Sequence, residues 1–489
     1  EILIGLVGSE MCIRDRIRKP TFGEAMLPLV LMIILLGLAA KFRLPIQAML
    51  LFAAAIAALV ARRLGYVWED MINGITDKIK SSLPSLFVMV CVGGMIASWM
   101  VSGTIPMMIY YGIKIIDPQF LFVTAFFVCA IISTFTGTSF GSAGTAGVAI
   151  MGIAIALGLP LPIAAGAVLS GAVFGDKLSP FSDTTILAPI AAGSELYDHI
   201  RHMLYTTGAA SILCIIVYTA VGMTMDVKIM TNPETVKAVL TNLEQLYRFN
   251  LILFLPPLLV FWGAYTKKPT IPMLLFASLL ALIMGIFFQD FSVKTALDAF
   301  VKGFNVNLLP TAQHVKSLKV INTLLNRGGL MGMMSTVLLV FCAFAFAGIF
   351  SKTGCIEVIL ERVKRSITSV GQLITSTVVS TLFMSLVTGS SYLAILIPGE
   401  MFQDLYKKFG LAARNLSRTL EDAGTCAVPL VPWSIAGTYM AATLGVPTVE
   451  YLPWATLCYG SMIFAIIYGY TGFGIMTLDE EKKMNSEKE

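Results

Sequence analysis

The sequence predicts an all-α, polytopic membrane protein built from two like halves. Three observations carry that expectation. Of the 489 residues, 57% are hydrophobic and only 13% charged, and the mean hydropathy is +0.82. Soluble domains carry about twice that charged share. Apolar runs such as "MLPLVLMIILLGLAA" (26–40), "MLLFAAAIAALVA" (49–61) and "MSTVLLVFCAFAFAGIF" (334–350) recur from end to end. With their flanks they are long enough to cross a bilayer as helices. The third observation is an internal repeat. "TGTS" (136–139) returns as "TGSS" (388–391), and the same shift of 252 takes Gly158-Leu159 to Gly410-Leu411, "PFS" (180–182) to "PWS" (432–434) and Gly193 to Gly445. A β-barrel would need alternating segments of roughly ten residues, and none occurs.

The halves are expected over 23–224 and 250–475, joined by a polar link over 225–249 and followed by a charged tail over 476–489. A second polar insertion falls at 303–329 within the second half. Residues 1–22 read as a non-native or disordered lead-in. "VGSEMCIRDR" within them resembles a translated sequencing-adapter artefact, and the lead-in is left out of fold reasoning.

Each half has plain spanning helices, then a Gly/Ser/Thr-rich interruption, then a helix broken by proline. "SILCIIVYTAVGM" and "LCYGSMIFAIIYGY" supply the closing spans. In lipid, irregular backbone survives only beside a cavity or a ligand. Duplicated halves with Gly/Pro-interrupted segments at matching places are the sequence pointer to a secondary transporter's binding site.

Net charge is +5, spread over short loops rather than gathered on one basic face. That excludes a nucleic-acid partner and suits a lipid bilayer. Basic residues on consecutive loops, Lys41 and Arg43 then Arg62 and Arg63, leave orientation open. Eight cysteines stand singly with no Cys-x-x-Cys, so neither a zinc site nor a disulfide framework is indicated. No Ser/His/Asp set, His-Glu-x-x-His or nucleotide loop is present, which argues against an enzyme and against any cofactor.

The chemistry is concentrated in "VFGDKLSPFSDTTILAP" (173–189). Pro180 cannot donate a helical hydrogen bond, so carbonyls near Asp176 and Lys177 lose partners. Ser182 is placed to cap a second half-helix with Asp183 in its first turn. Each charge at a bilayer centre costs about 2.5–3.5 kcal/mol, so three in a row must be paired, hydrated or engaged with a ligand. Asp176 reads as a carboxylate able to hold a hard cation or a proton, with Ser179, Ser182 and backbone carbonyls completing an oxygen shell. Asp183 reads either as a ligand or as a complement to the helix dipole. Lys177 reads either as tuning the site's charge or as neutralising an aspartate. In "LEDAGTCAVPLVPWS", Asp422 is a candidate coupling residue, set against an i,i+4 salt bridge with Arg418. His199 and His202 in "DHIRH" are expected at the surface.

"TGTSFGSAGTAGVAIMGIA", "GAVFGDKLSPFSDTTILAP", "HIRHMLYTT" and the later "LEDAGTCAVPLVPWSIAGTYMA" together resemble the NhaC-type sodium/proton antiporters of the ion-transporter superfamily. The resemblance spans about residues 24 to 472. It implies two inverted repeats, each with a re-entrant hairpin and a broken helix, and Na⁺ and H⁺ as transported partners. It places the hairpin tips at Thr136–Gly144 and Thr388–Ala394. There Thr138, Ser139, Ser390 and Ser391 are candidate ligands, set against close packing by small residues. The full candidate cation- and proton-binding set adds Thr184 and Ser434. Many members carry Asn where this chain has Ile186 and Ile435. Two function classes compete. The first is Na⁺/H⁺ exchange by alternating access in a bacterial-type cell membrane. The alternative is a Na⁺-coupled organic-acid exchanger of the malate/lactate type. Too few intramembrane cations disfavour the second. Homodimer assembly is left open.

Overall fold

The computed structural model describes residues 17–225, 233–311 and 319–486. The expected lead-in lies, as far as residue 16, outside the described residues. The first half comprises α1 (Phe22–Phe42), α2 (Ile46–Arg63), α3 (Trp68–Ser102), α4 (Thr104–Ile115), α5 (Leu121–Thr136), α6 (Ser139–Ala156), α7 (Leu161–Leu178), α8 (Asp183–Ala192) and α9 (Leu196–Thr224). After α10 (Pro233–Leu246) come α11 (Leu255–Tyr265), α12 (Thr270–Phe288), α13 (Val293–Lys302) and α14 (Lys319–Leu325). The rest comprises α15 (Met334–Lys352), α16 (Cys355–Lys364), α17 (Val370–Thr388), α18 (Ser391–Lys408), α19 (Ala413–Ala427), α20 (Ile435–Leu444), α21 (Thr448–Trp454), α22 (Thr456–Thr471) and α23 (Leu478–Ser486). Among the described residues there is no strand, only an isolated bridge between Leu411 and Thr477.

Ten of these helices are long and apolar enough to cross a membrane, or up to 13 if each of three bent pairs makes one span. The outer surface fits that count. On α1, Ala25, Leu29 and Met32 are buried while Leu27, Ile33 and Ile34 stand exposed. An apolar face that wide is normal against lipid and a liability in water. At its start the Thr21 side chain accepts from the Glu24 N–H and the Glu24 carboxylate accepts from the Thr21 N–H, closing the first turn.

The 252-residue repeat reappears in the helix bounds. Shifted by that amount, Leu161–Leu178 of α7 becomes α19 with its 3₁₀ extension Val428–Leu430, and α8 becomes α20. Both tips turn on a left-handed glycine, Gly137 (φ 66°) and Gly389 (φ 60°), a conformation that a side chain would strain. In the first half α6 folds back to where α5 began: Gly152 lies against Ile109, and Gly112 against Ile153, on the helix leading into α5. In the second, Tyr406 near the end of α18 donates to Thr377 near the start of α17 at 3.2 Å. Each half thus contains a hairpin whose tip meets a break. Gly137 abuts Phe181, and Gly389 abuts Ser434.

The two broken helices run in opposite directions. Arg414 at the start of α19 pairs with Asp198, just beyond the end of α8, at 2.7 Å. At the other end, Gly147 of α6 lies against both Val168 in the first part of α7 and Leu444 at the end of α20. One departure from the expected symmetry concerns the closing spans. α9 is continuous, whereas α21 and α22 meet at 55°. Pro453 removes a backbone donor there, and Tyr218 of α9 donates to the Trp454 carbonyl at the bend at 2.6 Å.

Candidate cation-binding site

Where the hairpin tips and the breaks converge there is a cavity of about 760 Å³. Thr138, Ser139, Asp176, Ser182, Asp183, Thr184, Ser390 and Ser391 all line it. Both tips therefore face one space. Ile186 and Ile435 line it as well.

Asp176 lies on the last turn of α7. Its Oδ2 accepts from the Ser139 N–H at 3.0 Å, which ties the first hairpin to the first break. The Ser182 hydroxyl faces the same carboxylate. The Thr185 hydroxyl lies 3.1 Å from the Asp176 carbonyl and 3.0 Å from that of Lys177, two acceptors at the end of α7. Among the described residues no Lys or Arg forms an ion pair with Asp176. Asp183, in the first turn of α8, accepts from Tyr392 Oη at 2.9 Å, linking the first broken helix to the second hairpin. The converse link is Phe140 of the first tip, stacked at 4.3 Å on Tyr439 of α20, whose hydroxyl donates to the Phe140 carbonyl at 2.7 Å. Phe140 and Tyr392 are repeat equivalents. Sequence reasoning passed over both, though the shift of 252 pairs them.

Ser182 and Ser434 occupy matching positions but are used differently. Ser434 caps α20 by accepting from the Gly437 N–H at 2.9 Å, and its hydroxyl lies 2.6 Å from the Val428 carbonyl and 2.9 Å from that of Val431. Its oxygen is committed to backbone and is not among the cavity's lining groups. Ser182 makes no cap bond; its hydroxyl lies 3.2 Å from that of Thr184 and faces the Asp176 carboxylate. Ser179 is buried, with its oxygen accepting from the Phe181 N–H at 3.3 Å, and also stands outside the lining.

Lys177 turns away from Asp176. Its Nζ donates to Asp422 Oδ1 at 2.6 Å, with both side chains fully buried, and lies 3.4 Å from Ser461 Oγ. Thr206 donates to the same Asp422 oxygen at 3.0 Å. The structure thus puts Asp422 in a buried ion pair behind the cavity rather than in it. The Arg418–Asp422 bridge, the other reading of Asp422, is absent among the described contacts; Arg418 donates to the Gly474 carbonyl at 2.7 Å. The histidines correct a second expectation. They are buried, not superficial, with His199 Nδ1 2.9 Å from Ser417 Oγ and His202 Nε2 3.1 Å from Asn415 Oδ1. The reason is α19, a polar helix buried over its whole length, which needs polar neighbours.

Comparison with known proteins points the same way. The profile of the Na⁺/H⁺ antiporter family matches residues 112–195 and 171–473. An uncharacterized Na⁺/H⁺ antiporter of Haemophilus influenzae is 46% identical over 464 residues, covering 95% of this chain and 98% of the relative. The Na⁺/H⁺ antiporter NhaC of Alkalihalophilus pseudofirmus is 38% identical over 460 residues, covering 94% and 97%. A malate-2H⁺/Na⁺-lactate antiporter of Bacillus subtilis is 35% identical over 457 residues, covering 93% and 96%. With matches of that length at both break motifs, the chain belongs to the Na⁺/H⁺ antiporter family.

Proposed function

We propose that the protein exchanges Na⁺ for H⁺ across the bacterial cell membrane by alternating access, with Asp176 holding either ion in turn. The observation that carries this reading is an unpaired carboxylate on the wall of a hydroxyl-lined cavity between two hairpins. Sodium is a hard ion that prefers oxygen ligands. Asp176, the Ser182 and Thr184 hydroxyls and the Ser390–Ser391 tip offer such a set. A carboxylate that loses Na⁺ in a water-poor cavity is neutralised by a proton, so the two ions compete for one group. The opposite courses of the broken helices and the matched tips support an inverted repeat about an axis in the membrane plane. Such a repeat lets one unit rock against the other around a fixed site.

The organic-acid reading has one observation in its favour. Lys267 and Lys268 line the same cavity, with the Lys267 ammonium 4.7 Å from the Phe181 ring centre. The relative named for malate and lactate gives that reading its chemistry. One experiment separates the two. Proteoliposomes loaded with a pH-sensitive dye receive Na⁺, Li⁺, K⁺, malate or lactate singly, and Na⁺ together with malate or with lactate. Na⁺ alone should dissipate the imposed pH gradient. Dissipation only when malate or lactate accompanies Na⁺ would select the organic-acid exchanger, and none in any arm would overturn both.

A further inference from the structure

We propose that Glu421 is a second proton-carrying carboxylate, distinct from Asp176, so that each cycle moves two protons against one sodium ion. This rests on the sodium/proton reading above. Glu421 lies on α19 with its side chain fully buried. Its Oε1 accepts from Thr425 Oγ1 at 2.7 Å, while Oε2 is buried with no partner among the described residues. The nearest charged groups on α7 are Lys177 and Asp176, but the Lys177 ammonium is already held by Asp422. On α19 itself Arg418 donates outward to Gly474. From α8, Thr184 faces Glu421. Ser461 of α22 is engaged with Lys177, and Thr381 of α17 is a neutral hydroxyl against the same helix. A buried carboxylate with no ion-pair partner among the described residues is neutralised by a proton.

Placement supplies the coupling. Thr425 and Thr184, the two hydroxyls around Glu421, both line the cavity. Glu421 is therefore one hydroxyl removed from the space where sodium would sit. When Na⁺ enters and replaces the proton on Asp176, its charge reaches Glu421 through the low-dielectric wall and favours the ionised carboxylate. Glu421 then gives up its proton to water. On the return leg Na⁺ has left, and both carboxyls carry a proton. Asp176 alone would exchange one charge for one charge; Glu421 adds a proton with no matching sodium, so the cycle moves net charge.

The test is the exchange stoichiometry of the full chain in proteoliposomes, with the membrane potential clamped at zero by valinomycin and equal potassium. Under an opposing tenfold Na⁺ gradient, flux should vanish at a pH difference of about half a unit, against about one unit for one-for-one exchange. An imposed potential alone should drive net exchange. Glu421→Gln should move the balance point to about one unit and abolish the response to potential. A wild-type balance point at one unit overturns the proposal, as does a Glu421→Gln variant that keeps the wild-type balance point. Should the variant fold but not transport, the wild-type balance point decides. Absence of any Na⁺-dependent proton flux in the wild type would instead sink the exchange reading itself.

Discussion

The two broken helices share a scaffold and divide the chemistry. α7–α8 and α19–α20 have the same bounds under a shift of 252 and meet hairpins of the same shape. The positions equivalent to Asp176 and Lys177 are Val428 and Pro429, and those equivalent to Glu421 and Asp422 are Leu169 and Ser170. The first break thus carries a carboxylate on the cavity wall. The second carries its carboxylates two turns earlier, buried behind that wall. Packing differs in step. Cβ atoms added at Gly171 and Gly175 would lie 2.2 and 2.3 Å from carbonyl oxygens of α5, whereas the matching positions in the second half are Ala423 and Ala427. The duplicated backbone supplies a crossing. Which ion meets which half is decided by side chains that the duplication does not share.

The largest effect that would break this comparison is at Asp176. Asp176→Asn should reduce Na⁺-dependent proton flux to the protein-free background while the purified protein keeps its wild-type elution profile. Wild-type flux in that variant would remove Asp176 as carrier.

The next effect is at the bridge between the halves. Lys177→Ala leaves the Asp422 charge buried and alone, and should lower stability by about 3–5 kcal/mol. Replacing both partners together, as Lys177→Met with Asp422→Leu, should recover most of that loss, because a buried pair is often replaceable by apolar groups. Thermal unfolding in detergent reads both. A single variant as stable as wild type would show that the pair carries no such cost.

Smaller effects sharpen the packing contrast. Gly175→Ala must push α7 from α5 and should cost about 1–3 kcal/mol. The mirror change Ala427→Gly opens no clash and should cost about 1 kcal/mol or less. Equal losses would mean that the halves are packed alike. Smallest in stability is the serine pair. Ser434→Ala loses a cap and should cost about 1 kcal/mol with Na⁺ affinity kept. Ser182→Ala should leave stability unchanged and weaken apparent Na⁺ affinity. Reversal of that pattern would exchange the roles assigned to the two hydroxyls.

The fold was legible because lipid imposes a simple rule on sequence. Long apolar runs had to be helices, and the two Gly-Ser-Thr interruptions had to face something polar. The 252-residue shift also paired the two interruptions and the two breaks, while the family resemblance supplied the hairpin tips. What stayed hidden was direction. Lys177 and Asp422 are 245 residues apart, and nothing local says that this lysine reaches them rather than its neighbour. Ser182 and Ser434 look alike in sequence, and only the carbonyls left free around each decide which hydroxyl is committed. The histidines were read as superficial because "DHIRH" is polar in itself; their burial depends on a polar helix more than 200 residues later. Tyr392 was within reach, since the repeat pairs it with Phe140, but an aromatic beside a tip reads as packing until its hydroxyl is seen on Asp183.

The central claim is that one carboxylate serves both ions, and competition tests it most directly. Apparent Na⁺ half-saturation should be measured in wild-type proteoliposomes from about pH 6 to about pH 9, without any organic acid. If Asp176 binds Na⁺ only when it has lost its proton, half-saturation should rise as pH falls, by at least about tenfold per unit once the proton dominates, with the maximal rate restored by enough Na⁺. A half-saturation that stays constant across that range while only the maximal rate changes would contradict the account.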